Sequence, residues 1–124
     1  MTASNANSKK KIVVADDDPA ILDALSWLLE DEGYCVNRTC NEETKQVILE
    51  ENPDLLLLDI WMSGVDGRDI CRELKSKSPT NKIPIIMISA SKDAEKSAVN
   101  AGADDFIAKP FEIDELLSKI KQYI

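Results

Sequence analysis

Four apolar runs divide this chain, and each stops at a residue that carries chemistry. Lys11-Ile12-Val13-Val14-Ala15 runs into Asp16-Asp17-Asp18, and Leu55-Leu56-Leu57-Leu58 runs into Asp59. Ile85-Ile86-Met87-Ile88 runs into Ser89, and Phe106-Ile107-Ala108 runs into Lys109-Pro110. The runs lack the apolar–polar alternation of a strand with one wet face. Continuous apolar runs of this length fit strands covered on both faces, as in a parallel sheet with helices on either side. In such open α/β sheets ligands bind at the carboxyl edge of the strands. Three acids, one hydroxyl and one lysine would then share one small site.

Between the runs lie helix-period segments. Residues 19–32 begin with Pro19 in a first-turn position after the cap candidate Asp18, and Gly33 stops them. Their apolar stripe is Ile21, Leu22, Leu25, Leu28 and Leu29, one face of a helix. Residues 34–38 read as a weaker strand. Further helices are expected over 42–51 (Val47, Ile48), 65–77 (Ile70, Cys71, Leu74), 92–101 (Ala94, Ala98, Val99, Ala101) and 112–123 (Ile113, Leu116, Leu117, Ile120). Five strands alternate with five helices, without repeats or low-complexity stretches. Strict alternation with right-handed crossovers gives a doubly wound, three-layer α/β sandwich of the flavodoxin-like (βα)5 type, commonly with strand order 2-1-3-4-5. That order sets Asp16 and Asp17 beside Asp59, with Ser89 and Lys109 on its other side. The second strand ends at Arg38 and Thr39, outside the cluster.

Composition narrows the function. At 124 residues one domain with a real core is expected. The formal charge of -8 argues against nucleic acid or an anionic membrane as partner, and no basic cluster offsets it. No apolar stretch approaches a membrane span, and Met1 to Lys10 is polar without a signal-peptide core. Residues 1–9 read as a disordered tail before a domain over 10–124. Cys35, Cys40 and Cys71 are irregularly spaced and read as reduced thiols, which points to a cytoplasmic protein. The chain has no histidine, which removes histidine acid–base catalysis and most transition-metal sites.

What remains is oxygen chemistry. Clustered carboxylates repel one another, and a divalent cation relieves this. Carboxylates without histidine or paired cysteines favour magnesium, with manganese as a substitute, over zinc. An aspartate in such a site can attack a phosphoryl donor and become an aspartyl-phosphate. A lysine ammonium would neutralise the phosphoryl oxygens, and a strand-end serine could donate to one of them.

The motifs Ile12-Val13-Val14-Ala15-Asp16-Asp17-Asp18-Pro19, Asp54 to Gly67, Pro84-Ile85-Ile86-Met87-Ile88-Ser89-Ala90 and Gly102 to Phe111 together resemble the receiver domain of two-component response regulators, of the single-domain chemotaxis-regulator kind. The resemblance covers residues 10–124. It implies Asp59 as phosphoacceptor, with Asp16, Asp17, Asp59 and the main-chain carbonyl of Trp61 around magnesium. Asp17 is expected to contact the ion directly and Asp16 partly through water. The resemblance further implies phosphate contacts from Ser89, Ala90 and Lys109, Phe106 as the rotating aromatic of the output switch, and a cis Lys109-Pro110 peptide. The protein would then be a signalling switch. It would catalyse phosphoryl transfer to, and hydrolysis from, its own aspartate. Its donor would be a sensor histidine kinase or a histidine phosphotransfer protein, and its output an unidentified downstream protein.

Three departures stand out. Ser63 occupies a position where the family often has proline, so a looser loop is expected after Asp59. Trp61 puts a large ring at the site mouth. Phe106 lacks the hydroxyl of the frequent tyrosine, leaving the switch to ring burial. Trp27 is a further candidate. At ~100° per residue from Ile21, the apolar stripe centres near ~30° and Trp27 falls near ~-120°, away from the core and beside Ala20 and Ala24. It is the expected anchor for the phosphodonor.

Competing readings fit less well. A haloacid-dehalogenase-type phosphatase needs an Asp-x-Asp-x-Thr or -Val pattern after the first strand, and Pro19-Ala20 after Asp18 breaks it. A flavodoxin-like flavin carrier would meet three aspartates where its phosphate should bind. A degenerate receiver used only as a binding module is the remaining rival, and the presence of all five key groups argues against it. Whether the chain is free-standing or part of a longer regulator is left open.

Overall fold

The computed structural model describes residues 9–124, with only the backbone of Lys92. The expected tail, apart from Lys9, lies outside the described residues. In chain order the strands are β1 (Lys11–Ala15), β2 (Cys35–Thr39), β3 (Leu55–Asp59), β4 (Trp61–Met62), β5 (Val65–Asp66), β6 (Ile85–Ser89) and β7 (Asp105–Ala108). The α-helices are α1 (Pro19–Asp31), α2 (Glu43–Glu51), α3 (Gly67–Lys75), α4 (Glu95–Asn100) and α5 (Ile113–Tyr123). Short 3₁₀ turns fill Thr80–Lys82 and Lys92–Ala94. Five strands form one parallel sheet in the order β2-β1-β3-β6-β7, while β4 and β5 pair as a small antiparallel hairpin. Setting that hairpin aside, this is the expected 2-1-3-4-5 order of a flavodoxin-like (βα)5 fold.

Each central strand feeds two cores, because successive side chains point to opposite faces. Val13, Ala15, Leu56, Leu58 and Met87 pack with Ile48 of α2, Ile70 and Leu74 of α3, and Ala98 of α4. Ile12, Val14, Leu55, Leu57 and Ile86 pack with Leu22, Leu25 and Leu29 of α1 and Leu116 and Ile120 of α5. Leu55 through Leu58 are all completely buried. Truncating one of them to alanine would cost about 2–5 kcal/mol. The continuous apolar run is thus the mark of a strand with helices on both sides.

Local chemistry sets the helix ends. Asp18 caps α1, its carboxylate accepting from the Ala20 N–H at 3.0 Å, with Pro19 next in the first turn. Gly33, at φ +97°, takes the left-handed position that lets Tyr34 N–H return to Leu29 C=O at 3.0 Å. The helix expected over 65–77 starts two residues later. Val65 and Asp66 instead pair with Met62 and Trp61, and the Asp66 carboxylate caps α3 by accepting from the Arg68 N–H at 2.9 Å. Its far end stops at Lys75, where the Ser76 and Thr80 hydroxyls bond the Glu73 and Leu74 carbonyls. The helix expected over 92–101 opens as a 3₁₀ turn and is α-helical over only six residues. It buries Ala98, with Ala101 just beyond it. Val99, expected in its apolar stripe, is 58% exposed. Among the described residues no helix is long and apolar enough to cross a membrane.

Candidate metal and phosphoacceptor site

The sheet register builds the site. Ala15 pairs with Leu58, so the residues that follow, Asp16 and Asp59, leave β1 and β3 side by side. Asp59 pairs with Ile88 and Ser89 with Ala108, which carries Ser89 and then Lys109 onto the same edge. The Lys109 N–H donates to Ser89 C=O at 2.8 Å and fixes that corner. The Lys109-Pro110 peptide is cis, as the resemblance implied.

Asp16, Asp17 and Asp59 each offer a carboxylate oxygen within 4.8 Å of the others. Asp16 and Asp59 are buried, at 1% and 5% exposure, while Asp17 is exposed. The Lys109 ammonium lies 3.0 Å from Asp16 Oδ2 and 3.6 Å from Asp59 Oδ1. Asp16 Oδ1 accepts from the Asp18 N–H at 3.0 Å, so both of its oxygens are engaged. Burial, and next the charge of Asp16, push the Asp59 carboxyl up from 3.8 to about 6, against the pull of Lys109. Burial alone would lower the Lys109 ammonium's pKa, but its bond to Asp16 and the Asp59 charge raise it overall. Three carboxylates face one ammonium, leaving about two negative charges uncompensated when all are ionised. An all-oxygen donor set with that deficit fits a hard divalent cation.

The other sequence candidates fall as follows. Ser89 is buried at the edge, and its hydroxyl accepts from the Ser91 N–H at 3.1 Å. Ala90 follows it, exposed. Phe106 is buried in the core that holds Met87, Ala98 and Ala101, with its ring on the α4 side of the sheet. Trp61 is 57% exposed and opens the hairpin two residues after Asp59. Trp27 lies apart from the cluster. It is 82% exposed, in a groove with Ala20, Ala24, Val36 and Arg38 between α1 and the edge strand β2.

The loop at Ser63 is tied down rather than loose. Its N–H, which a proline would lack, donates to Asp17 Oδ2 at 2.9 Å. Two supporting residues carried no role in the sequence reading. Gly67 donates its N–H to Ile60 C=O at 2.6 Å, and a methyl group on it would collide with the Asp59 carbonyl oxygen. Arg68 lies over the Trp61 ring, 4.4 Å from its centroid. The Asp66-Gly67 pair was the available signal for a cap and a close approach. Nothing in the spacing marked Arg68.

Residues 12–121 match the family model of the response regulator receiver domain. The chain belongs to that family, and the protein is a receiver domain of two-component response regulators. Solved structures agree. A CheY-like response regulator receiver domain protein from Methanospirillum hungatei JF-1 is 34% identical, with a TM-score of 0.85, covering 93% of this chain and 93% of that one. The signal receiver domain of a signal transduction histidine kinase from Syntrophus aciditrophicus is 30% identical, with a TM-score of 0.85, covering 92% and 89%. The BeF3-activated N-terminal receiver domain of Klebsiella pneumoniae RstA is 29% identical, with a TM-score of 0.81, covering 91% and 97%.

Proposed function

We propose that residues 10–124 form a phosphoacceptor switch that takes a phosphoryl group onto Asp59. The observation that carries this reading is the meeting of Asp16, Asp17 and Asp59 with Lys109 at one sheet edge. Magnesium, or manganese in its place, would be held by the three carboxylates and the Trp61 carbonyl, where it supplies charge neutralisation for the phosphoryl oxygens. An Asp59 oxygen attacks phosphorus in line. The bond from phosphorus to the donor nitrogen, or to the carboxyl oxygen of acetyl phosphate, breaks, and the leaving group takes the electron pair. Lys109 stands by the incoming group as a fixed cation. The Ser89 hydroxyl and the Ala90 N–H turn towards its oxygens. Phe106 follows Ser89 through the core it shares with α4, and so the output face changes. Hydrolysis later returns the carboxylate, with water adding to phosphorus as the aspartyl oxygen leaves.

The donor is a sensor histidine kinase or a histidine phosphotransfer protein, docked on α1 with Trp27 as one anchor. The output is a protein surface, in keeping with the chain's negative charge, and the expected location is the cytoplasm. The test is intact mass after incubation with acetyl phosphate and magnesium. The wild type gains one phosphoryl group and Asp59→Asn gains none. Equal labelling of the Asn variant would overturn the assignment.

A further inference from the structure

Arg68 joins the β4–β5 hairpin, where it meets the paired residues Asp66 and Trp61, to α4. Its Nε donates to both carboxylate oxygens of Asp66, at 2.9 and 3.2 Å, and its Nη2 donates to Asp66 Oδ2 at 2.7 Å. The guanidinium covers the indole of Trp61. Its Nη1 donates to Ser97 Oγ on α4 at 3.3 Å, while that hydroxyl donates to Ala94 C=O at 2.9 Å. The side chain is only 23% exposed. A planar fork gripped by one carboxylate moves as a rigid plate. Because Asp66 and Trp61 face each other in the hairpin, a shift of the hairpin carries the plate, and with it the nitrogen that reaches Ser97. The two ends differ in firmness. Trp61 opens the β4–β5 hairpin two residues after Asp59, whereas α4 is six residues long and buries only Ala98. A single outside hydrogen bond is a large share of what holds such a helix.

We propose that Arg68 is a positioning residue that joins the mouth of the acidic site to α4, through Trp61 on one side and Ser97 on the other. The joint is separate from the Ser89–Phe106 connection. It rests on the phosphoacceptor reading only for the event that drives it. Lysine cannot replace it, because one ammonium nitrogen cannot hold Asp66, cover Trp61 and reach Ser97 together.

The test is hydrogen exchange of residues 95–100 by mass spectrometry. Trp61 fluorescence is read alongside it in a Trp27→Phe background, where Trp61 is the remaining tryptophan. With chelator alone, Trp61→Leu speeds exchange of 95–100 about two- to tenfold, and adds nothing once Arg68→Met is present. Ser97→Ala speeds the same exchange and leaves Trp61 emission unchanged, whereas Arg68→Met and Arg68→Lys alter both. Magnesium with beryllofluoride then changes exchange of 95–100 in the wild type, and the response falls to about half or less in Ser97→Ala and Arg68→Met. If Trp61→Leu acts equally with and without Arg68, the joint is overturned, whatever Asp59 binds. If the wild type takes up no beryllofluoride while the chelator-only pattern holds, the phosphoacceptor reading fails and the joint stands. Faster exchange throughout β1 and β3 would mark a folding defect. Ser97→Ala, which deletes one oxygen, then decides the question.

Discussion

Asp59→Asn should make the chelated protein more stable at neutral pH. The folded carboxyl is buried, and its pKa is pushed up from 3.8 to about 6, first by burial and then by the Asp16 charge. Unfolding returns it to the ordinary value. The folded state therefore binds this proton more tightly than the unfolded state does. Stability from this group is greatest where both states are protonated, is lost as pH rises past the unfolded value, and is fully lost above about pH 6. About two pKa units at ~1.36 kcal/mol each set a ceiling of about 3 kcal/mol at pH 7.5. The same linkage leaves about 0.5 kcal/mol near pH 4. Asparagine keeps the shape without the charge, and its amide can donate towards Asp16. At about 3–6 °C per kcal/mol, that ceiling corresponds to a melting temperature about 9–18 °C higher for the variant at pH 7.5 in EDTA. That gain should shrink steadily towards pH 4, and magnesium should narrow it by stabilising the wild type more. Thermal melts followed by circular dichroism over that pH range check all three statements. A variant no more stable than wild type at pH 7.5, or equally favoured at pH 4, would refute the reasoning.

Lys109→Met should slow acetyl phosphate labelling about 10²-fold, because it removes the fixed cation beside Asp16 and Asp59; timed intact-mass measurements report it, and an unchanged rate counts against Lys109 as a phosphate contact. Gly67→Ala should cost about 1–3 kcal/mol in urea denaturation and weaken magnesium binding, since the added methyl group presses on the Asp59 carbonyl. A silent substitution would show that α3 can shift away from the site. Trp27→Ala should slow phosphotransfer from a cognate protein donor while leaving acetyl phosphate labelling unchanged, because the ring is exposed and apart from the cluster. Equal rates from the protein donor would leave Trp27 an ordinary surface residue.

The legible parts of this fold were those written in local pattern. Leu55–Leu58 announced a strand buried on both faces, and all four side chains are completely covered. The strand-end groups were legible because parallel register turns position in sequence into position on one edge. The β4–β5 hairpin was not, since two-residue strands show no alternation. Val99 misled for a related reason. A helix of six residues has room to bury one narrow stripe, and Ala98 takes it. The Ser63–Asp17 bond joins a backbone donor to a carboxylate 46 positions away, and no side-chain pattern marks it. Arg68 pairs with a residue two positions before it, outside the helical spacings at which side chains face each other.

The fold combines a buried carboxylate cluster with a helix, α4, that buries one alanine. β1 and β3 are buried on both faces, so the backbone that carries Asp16 and Asp59 has nowhere to move. α1 is held by Leu22, Leu25 and Leu29, and α3 by Ile70, Cys71 and Leu74. Against these, α4 offers one buried alanine, a methyl group worth about 0.8 kcal/mol of transfer free energy. Neutralising the carboxylate cluster changes the local free energy by about 1–3 kcal/mol, which shifts a two-state population by roughly five- to 150-fold. A change of that size cannot repack the leucine layers, whose single truncations cost about 2–5 kcal/mol each. It is comparable with what the buried Ala98 methyl group and the Arg68–Ser97 hydrogen bond contribute to holding α4. In the proposed switch, the charge at one edge and the small side chains of α4 would act together, the one supplying free energy on the scale at which the other yields.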